Sequence, residues 1–245
     1  MINFLKNHPF AVEAHFDRSL VLTFAVPKEQ VQNLIPSCLT LDTFQDKWAF
    51  IAIAMVQTQH LRPKGFPKFM GNDFFLIGYR IFVRYTNNAG KRLRGLYIIK
   101  SQTDKKKMQF LGNLFTHYNY TTTDITQTTK EKLSIISSSQ SNFEVSIEQT
   151  EDEITLPSLS PFNDWKEARK FAGPLPHTFT VNTKEGTILT ILGVRQKWKP
   201  KPVHVKNYHF DFLNNLNLQG IVLANAFEIQ NIPYYWKKGK IEKWK

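Results

Sequence analysis

The run Phe74–Tyr85 (FFLIGYRIFVRY) constrains this chain more than any other stretch. Read with the two-residue period of a strand, Leu76, Gly78, Arg80 and Phe82 share one face. Phe75, Ile77, Tyr79, Ile81 and Val83 share the other. Both sets are largely apolar, so the strand has to be covered on both sides. The next run, Leu93–Thr103 (LRGLYIIKSQT), has the same character: Leu96, Ile98 and Lys100 fall on one face, with Tyr97 and Ile99 opposite. A cation therefore sits in each of two strands expected to be buried. An unpaired buried charge is costly, so Arg80 and Lys100 need partners. Internal ion pairs would serve, for instance to Asp73, Asp104 or Glu228. A pocket in which both cations hold an anionic ligand, such as a carboxylate or enolate, would serve equally. Arginine suits the second arrangement because its planar fork binds carboxylates in bidentate fashion.

Further strands are expected at Leu20–Val26, Trp48–Val56, Lys132–Ser137, Asn142–Gln149, Thr187–Val194, Pro202–Phe210 and Ile221–Ile229, all short runs rich in β-branched or aromatic residues. Turn signals at Asn87–Gly90, Lys184–Gly186 and Lys238-Gly239 separate several of them. Many strands at short spacing predict a mainly β (α+β) fold, a barrel or a sandwich. Three short helices interrupt them. Pro27–Leu34 places Val31, Leu34 and Ile35 on one face. Asp104–Phe115 has Asp104 as its N-cap and Met108, Leu111 and Phe115 at helical spacing. Asn163–Ala172 has Asn163 available as a cap and Gly173-Pro174 as a stop. No internal repeat is visible. The stretch from Glu151-Asp152-Glu153 to Pro161 is the best candidate hinge, but apolar strands flank it, so one domain is expected over residues 1–245.

The chain carries 32 Lys and Arg against 20 Asp and Glu, a net charge of +12. Such an excess favours acidic partners (nucleic acid, anionic lipid, small anions) or marks a solvated basic surface. The cations are spread along the chain, densest at Lys91–Lys107, Arg195–Lys206 and Lys237–Lys245, which is the pattern of a surface. Arg195–Val205 (RQKWKPKPVHV) and Tyr234–Lys238 interleave basic and aromatic residues, as sites for single-stranded nucleic acid do. No standard nucleic-acid motif accompanies them, and cationic stems packed over aromatic edges explain them as well. Lys105, Lys106 and Lys107 stand at a helix start, where the dipole disfavours them. They read as solvated lysines, or as part of an anion site, one of which could serve as an amine nucleophile.

The single cysteine, Cys38, rules out an intramolecular disulfide and reads as a packed small residue. With a start too weakly apolar for a signal peptide, this predicts a cytoplasmic protein. No run approaches the ~18 apolar residues of a membrane span. His204 and His209 are five apart and face opposite ways on a straight strand, so no metal is expected. A phosphate loop, a dinucleotide fingerprint and a nucleophile elbow are all missing, and no cofactor is expected.

An ordered set of segments resembles the YqjF-like uncharacterised family of the acetoacetate decarboxylase-like superfamily. It comprises Leu34–Phe44 (LIPSCLTLDTF), Trp48–Val56, Leu61–Pro67 (LRPKGFP) and Phe75–Val83. Ser101–Tyr120, Ser160–Phe179 and Trp198–Val205 look like one branch of that family, so the likeness covers nearly the whole chain. It implies a β-barrel cone with small helices and an enclosed pocket. The superfamily's type enzyme uses a Schiff-base lysine helped by a carboxylate. Here the reactive position falls at about Tyr120, in Asn113–Thr121 (NLFTHYNYT), and the carboxylate position falls near Leu76. The fold is expected to carry over and decarboxylation is not. The resemblance also places His117, Tyr118 and Tyr120 at the pocket.

The combined expectation is a barrel that binds or transforms a small anionic carbonyl or carboxylate compound without a metal. Arg80 and Lys100 would hold the anionic group. His117 and Tyr120 would supply polar contacts or proton transfer, and Asp104 would cap the helix and orient Lys100. Two rival readings stand beside it: a basic module binding nucleic acid or an acidic partner, and a Schiff-base decarboxylase with a displaced lysine.

Overall fold

Two-sided burial of the central strands shapes the whole architecture. The computed structural model describes residues 2–150, 153–195 and 198–244. Its strands are β1 (Val12–Pro27), β2 (Thr40–Leu41), β3 (Trp48–Pro63), β4 (Asn72–Thr86), β5 (Arg92–Thr103), β6 (Tyr120–Thr122), β7 (Thr126–Lys130) and β8 (Leu133–Ser138). There follow β9 (Phe143–Glu148), β10 (His177–Asn182), β11 (Thr187–Arg195), β12 (Lys201–Pro202), β13 (His204–Phe210), β14 (Val222–Trp236) and β15 (Lys240–Lys243). The α-helices are α1 (Lys28–Val31), α2 (Lys106–Phe115), α3 (Trp165–Ala172) and α4 (Asp211–Asn214). The mainly β expectation holds. Among the described residues, no helix is long and apolar enough to cross a membrane.

The main sheet runs β14-β1-β3-β4-β5-β10-β11, and β11 pairs with β14 as well, so the path of pairings returns to its start. A second sheet, ordered β13-β9-β8-β7, lies against one face of the first. Leu22, Ile51, Ile53, Ile77 and Ile81 of the main sheet share one apolar cluster with Ile136, Phe143, Val145 and Phe210 of the second. That covers one face of β4. The other face of β4 looks inward.

Several sequence expectations need correction. β1 begins at Val12, eight residues before the expected strand, because polar residues between Glu13 and Ser19 mask the alternation. Asp104 does not cap α2: the helix starts at Lys106, and Lys105 stands at the cap position without a side-chain bond. Asp104 instead ends the β4–β5 ladder, where its carboxylate accepts the Phe75 N–H at 2.7 Å. The cap of α3 is Asp164, which accepts the Glu167 N–H at 2.7 Å, while Glu167 reaches back to the Asn163 N–H at 2.8 Å. This is a reciprocal capping box shifted by one residue. His204 and His209 do not face opposite ways. A register shift between Val205 and Asn207 pairs them with Glu148 and Glu144, two residues on the same face of β9. Glu151 and Asp152, at the start of the expected hinge, and Gln196 and Lys197 lie outside the described residues.

Asp42, 0% exposed, ties three elements together. It pairs with Arg84 of β4 and, at 2.5 Å, with Arg94 of β5. Arg94 also donates to the Phe171 carbonyl of α3 at 2.9 Å. Removing one partner of a buried ion pair leaves the others uncompensated. Asp42→Ala is therefore expected to cost about 3 kcal/mol of stability in chemical unfolding; a loss within error of zero would show the triad to be dispensable.

Candidate functional site

Small side chains on the inward face of β3 and β4 leave a cavity of about 250 Å³. Ala52 pairs with Arg80 and Ala54 with Gly78, so the wall beside the arginine carries almost no volume. Gly78 is needed for a second reason: a Cβ there would lie 3.0 Å from Arg80 Nε, so the guanidinium folds back across the glycine. Helix α2 closes the space with Met108, Leu111 and Phe115, and Tyr120 of β6 sits beside it. The Gly173–Leu175 segment, Trp198, and Tyr234 and Trp236 of β14 also line it.

Arg80 faces this cavity, and its buried Nε has no hydrogen-bond partner among the described residues. None of the three acids named from the sequence as its ion-pair partners takes that role. Asp73 accepts the His60 N–H at 2.7 Å, Asp104 accepts Phe75 N–H, and Glu228 pairs with Arg18 at 2.5 Å. Burial pushes the guanidinium pKa below its ordinary value. The hydroxyls of Tyr234, Tyr120 and Tyr118 oppose that shift and Arg195 adds to it. Arginine nevertheless keeps its charge at neutral pH.

Two other cations line the space. Arg62 is paired with Glu13 at 2.7 Å. Arg195 donates to the carbonyls of Pro174 at 3.0 Å and Leu175 at 2.5 Å, and lies 4.3 Å from the Trp198 ring centre. The basic–aromatic stretch beginning at Arg195 thus turns its first arginine and tryptophan into the cavity. No carboxylate and no lysine is found among the described residues lining it. Tyr118 hydrogen-bonds Thr178, and burial pushes its pKa well up; burial pushes Tyr120 up to about 12. Both phenols are therefore protonated donors at neutral pH.

The expected site residues divide. Arg80 and Tyr120 line the cavity, as does Tyr118. Lys100 does not. The β4–β5 register shifts between Tyr79 and Arg80, which pair with Lys100 and Ile98, so Ile99 is an extra residue. The bulge turns Lys100 to the opposite face, where its ammonium lies 4.6 Å from the Phe212 ring centre and 5.7 Å from that of Tyr79. Asp104 stays at the ladder end. His117 sits outside the cavity, 3.1 Å from the Asn7 side-chain oxygen. Lys105, Lys106 and Lys107 are exposed and do not line the cavity.

Sequence reasoning missed His8, which is 7% exposed, lines the cavity and has a backbone φ of 51°. It also missed Thr58 and the inward aim of Arg195 and Trp198. Among the described residues, five buried polar atoms without partners belong to cavity-lining side chains: His8 Nδ1, Thr58 Oγ1, Arg80 Nε, Arg195 Nε and Trp198 Nε1. Native interiors rarely leave such atoms unpaired. Among the described residues, no group of three or more His, Cys, Asp or Glu is arranged to hold a metal ion.

Residues 13–225 match the model of the DUF2071 family, described as an uncharacterized conserved protein. The chain belongs to this family. Its fold is that of acetoacetate decarboxylase-like proteins. The acetoacetate decarboxylase of Legionella pneumophila superposes with a TM-score of 0.60 at 11% identity, over 96% of this chain and 89% of that one. An acetoacetate decarboxylase-like enzyme from Sphingomonas wittichii RW1 gives 0.60 at 9% identity, over 98% and 96%. The enduracididine biosynthesis enzyme MppR, complexed with pyruvate, gives 0.56 at 9% identity, over 95% and 90%. At these identities the likeness concerns the fold. No curated protein matches the chain. Tyr120 and Leu76, the positions assigned by resemblance to the reactive lysine and the carboxylate, both line the cavity.

Gly112 of α2 abuts Tyr120: an added Cβ would fall 2.4 Å from the tyrosine ring. Gly112→Ala is expected to displace that ring and cost about 1–3 kcal/mol of stability. Unchanged stability with an unmoved ring in a variant crystal structure would contradict the packing described.

Proposed function

We propose that the cavity binds a small organic anion, a carboxylate or an enolisable carbonyl compound, with Arg80 as its main anchor. The carrying observation is Arg80, whose Nε is buried without a partner and which forms no ion pair among the described residues, in a cavity that no described carboxylate lines. A charge held this way is a standing cost to the fold unless a ligand compensates it. The fork of Arg80 would take the carboxylate in bidentate fashion. Tyr118 and Tyr120, protonated at neutral pH, would donate to a carbonyl or enolate oxygen. Arg195, fixed by two backbone carbonyls, adds positive potential without needing to move. Pyruvate in the MppR structure is a ligand of this chemical class on the same fold. A Schiff-base route has no support from the described lining, which offers no amine.

Thermal-shift measurements with acetate, pyruvate and acetoacetate at low and high salt test this reading. A rise in melting temperature that persists at high salt is expected, because a buried pair is poorly screened. Arg80→Met is expected to abolish the rise. In the ligand-free protein the same substitution should leave stability unchanged or raise it, by up to about 4 kcal/mol, since it removes an uncompensated charge. Destabilisation of the ligand-free protein by Arg80→Met, or no rise with any acid, would overturn the assignment.

A further inference from the structure

The walls of the cavity say more about the ligand than its charge does. An apolar cavity of about 150 Å³ is large enough to hold benzene. The cavity here measures about 250 Å³. The space beyond that needed for benzene leaves room for a carboxylate beside a ring or a branched chain.

The remaining wall is made to receive one. The groups close enough to act on the Arg80 charge are Tyr234, Tyr120, Tyr118 and Arg195, so the polar atoms gather around the arginine. Along β3 and β4 from that point the wall becomes Val56, Leu76 and Phe74, since Val56 pairs with Leu76 and Thr58 with Phe74. Leu61 and Leu76 pack against both neighbouring apolar clusters, the one built on Phe16, Ala54 and Val56 and the one built on Phe74, Met108 and Tyr120. From α2 come Met108, Leu111 and Phe115, and the Phe115 ring meets Phe10 edge-on at 5.1 Å between centroids. Two buried atoms without partners among the described residues, Thr58 Oγ1 and His8 Nδ1, belong to the same lining. An acid of two or three carbons would pair with Arg80 but leave these walls without contacts on one side, forfeiting their dispersion attraction.

We infer that the ligand is an amphipathic acid: a carboxylate bound by Arg80 that carries an aryl or comparably bulky apolar group against Val56, Leu76, Phe74, Met108 and Leu111. This rests on the anion reading of the same cavity and adds the class of the ligand's other half. Leu111, part-buried on a helix outside the main sheet, sets the depth available to that group. Filling its position should exclude ring-bearing acids while leaving the anion anchor intact.

Titration calorimetry with acetate, pyruvate, phenylacetate, phenylpyruvate and the uncharged phenylacetamide tests the inference. Phenylacetate is expected to bind about tenfold or more tightly than acetate, the return from burying a phenyl group, and at least as much more tightly than phenylacetamide. Leu111→Trp, and independently Val56→Phe, each shown to be folded by its cooperative melt, should weaken the phenyl acids about tenfold or more relative to pyruvate. Equal affinity for acetate and phenylacetate would overturn the inference and leave the anion reading standing. Equal affinity for phenylacetate and phenylacetamide would remove the anion reading and, with it, the acid. No binding of any acid would remove both.

Discussion

The register between β3 and β4 decides what the interior of this protein is. It sets Ala52 opposite Arg80 and Ala54 opposite Gly78, so the smallest side chains of both strands meet on one face. On the other face, Ile51 meets Ile81, Ile53 meets Tyr79 and Met55 meets Ile77, all in the main apolar cluster. One face therefore packs solidly under the second sheet, and the other is left open and walled off by α2, β6 and β14. A slip of one residue would exchange the two faces, burying Arg80 in the solid core and turning Tyr79 into the cavity. The solid face, with its aromatic and branched side chains, holds the register that the open face needs.

The open face carries an electrostatic cost. Arg80 and Arg195 are like charges within reach of each other, and burial weakens their hydration. The anchoring of Arg195 to the carbonyls of Pro174 and Leu175 keeps that arginine from swinging to solvent. Sites that must recognise a charge commonly hold such uncompensated groups at the expense of stability, and the compensation arrives with the ligand. The triad of Asp42, Arg84 and Arg94 is the opposite case within the same fold: a buried carboxylate already matched by two arginines, acting as a clasp.

Much of this was legible in the residues. The alternation in Phe74–Tyr85 identified a strand covered on both faces, with Arg80 on the face shared with Gly78, and the resemblance brought Tyr120 to the cavity. What escaped was set by events that single residues do not record. The bulge at Ile99 lies within Leu96–Lys100, where the residues before the lysine are all apolar, so no break in pattern betrays it. Asp104 has the right chemistry for a helix cap, but the end of the ladder claims its carboxylate first. His8 stands in a short polar stretch without periodicity, and only the packing of the chain start against Phe115 and Gly239 brings it inside, through backbone bonds of 3.2 and 2.9 Å. Arg195 was visible as one of a run of cations, and strand pairing with Tyr234 is what directs it inward.

The central claim is that Arg80 is a charge waiting for an anion. A bromide soak of crystals of the ligand-free protein, read by anomalous scattering, tests it most directly. The account predicts an ordered bromide inside the cavity against the Arg80 guanidinium, within reach of the Tyr118 or Tyr120 hydroxyl. Bromide confined to the outer lysines, with the Arg80 guanidinium paired to a carboxylate of its own chain, would contradict it.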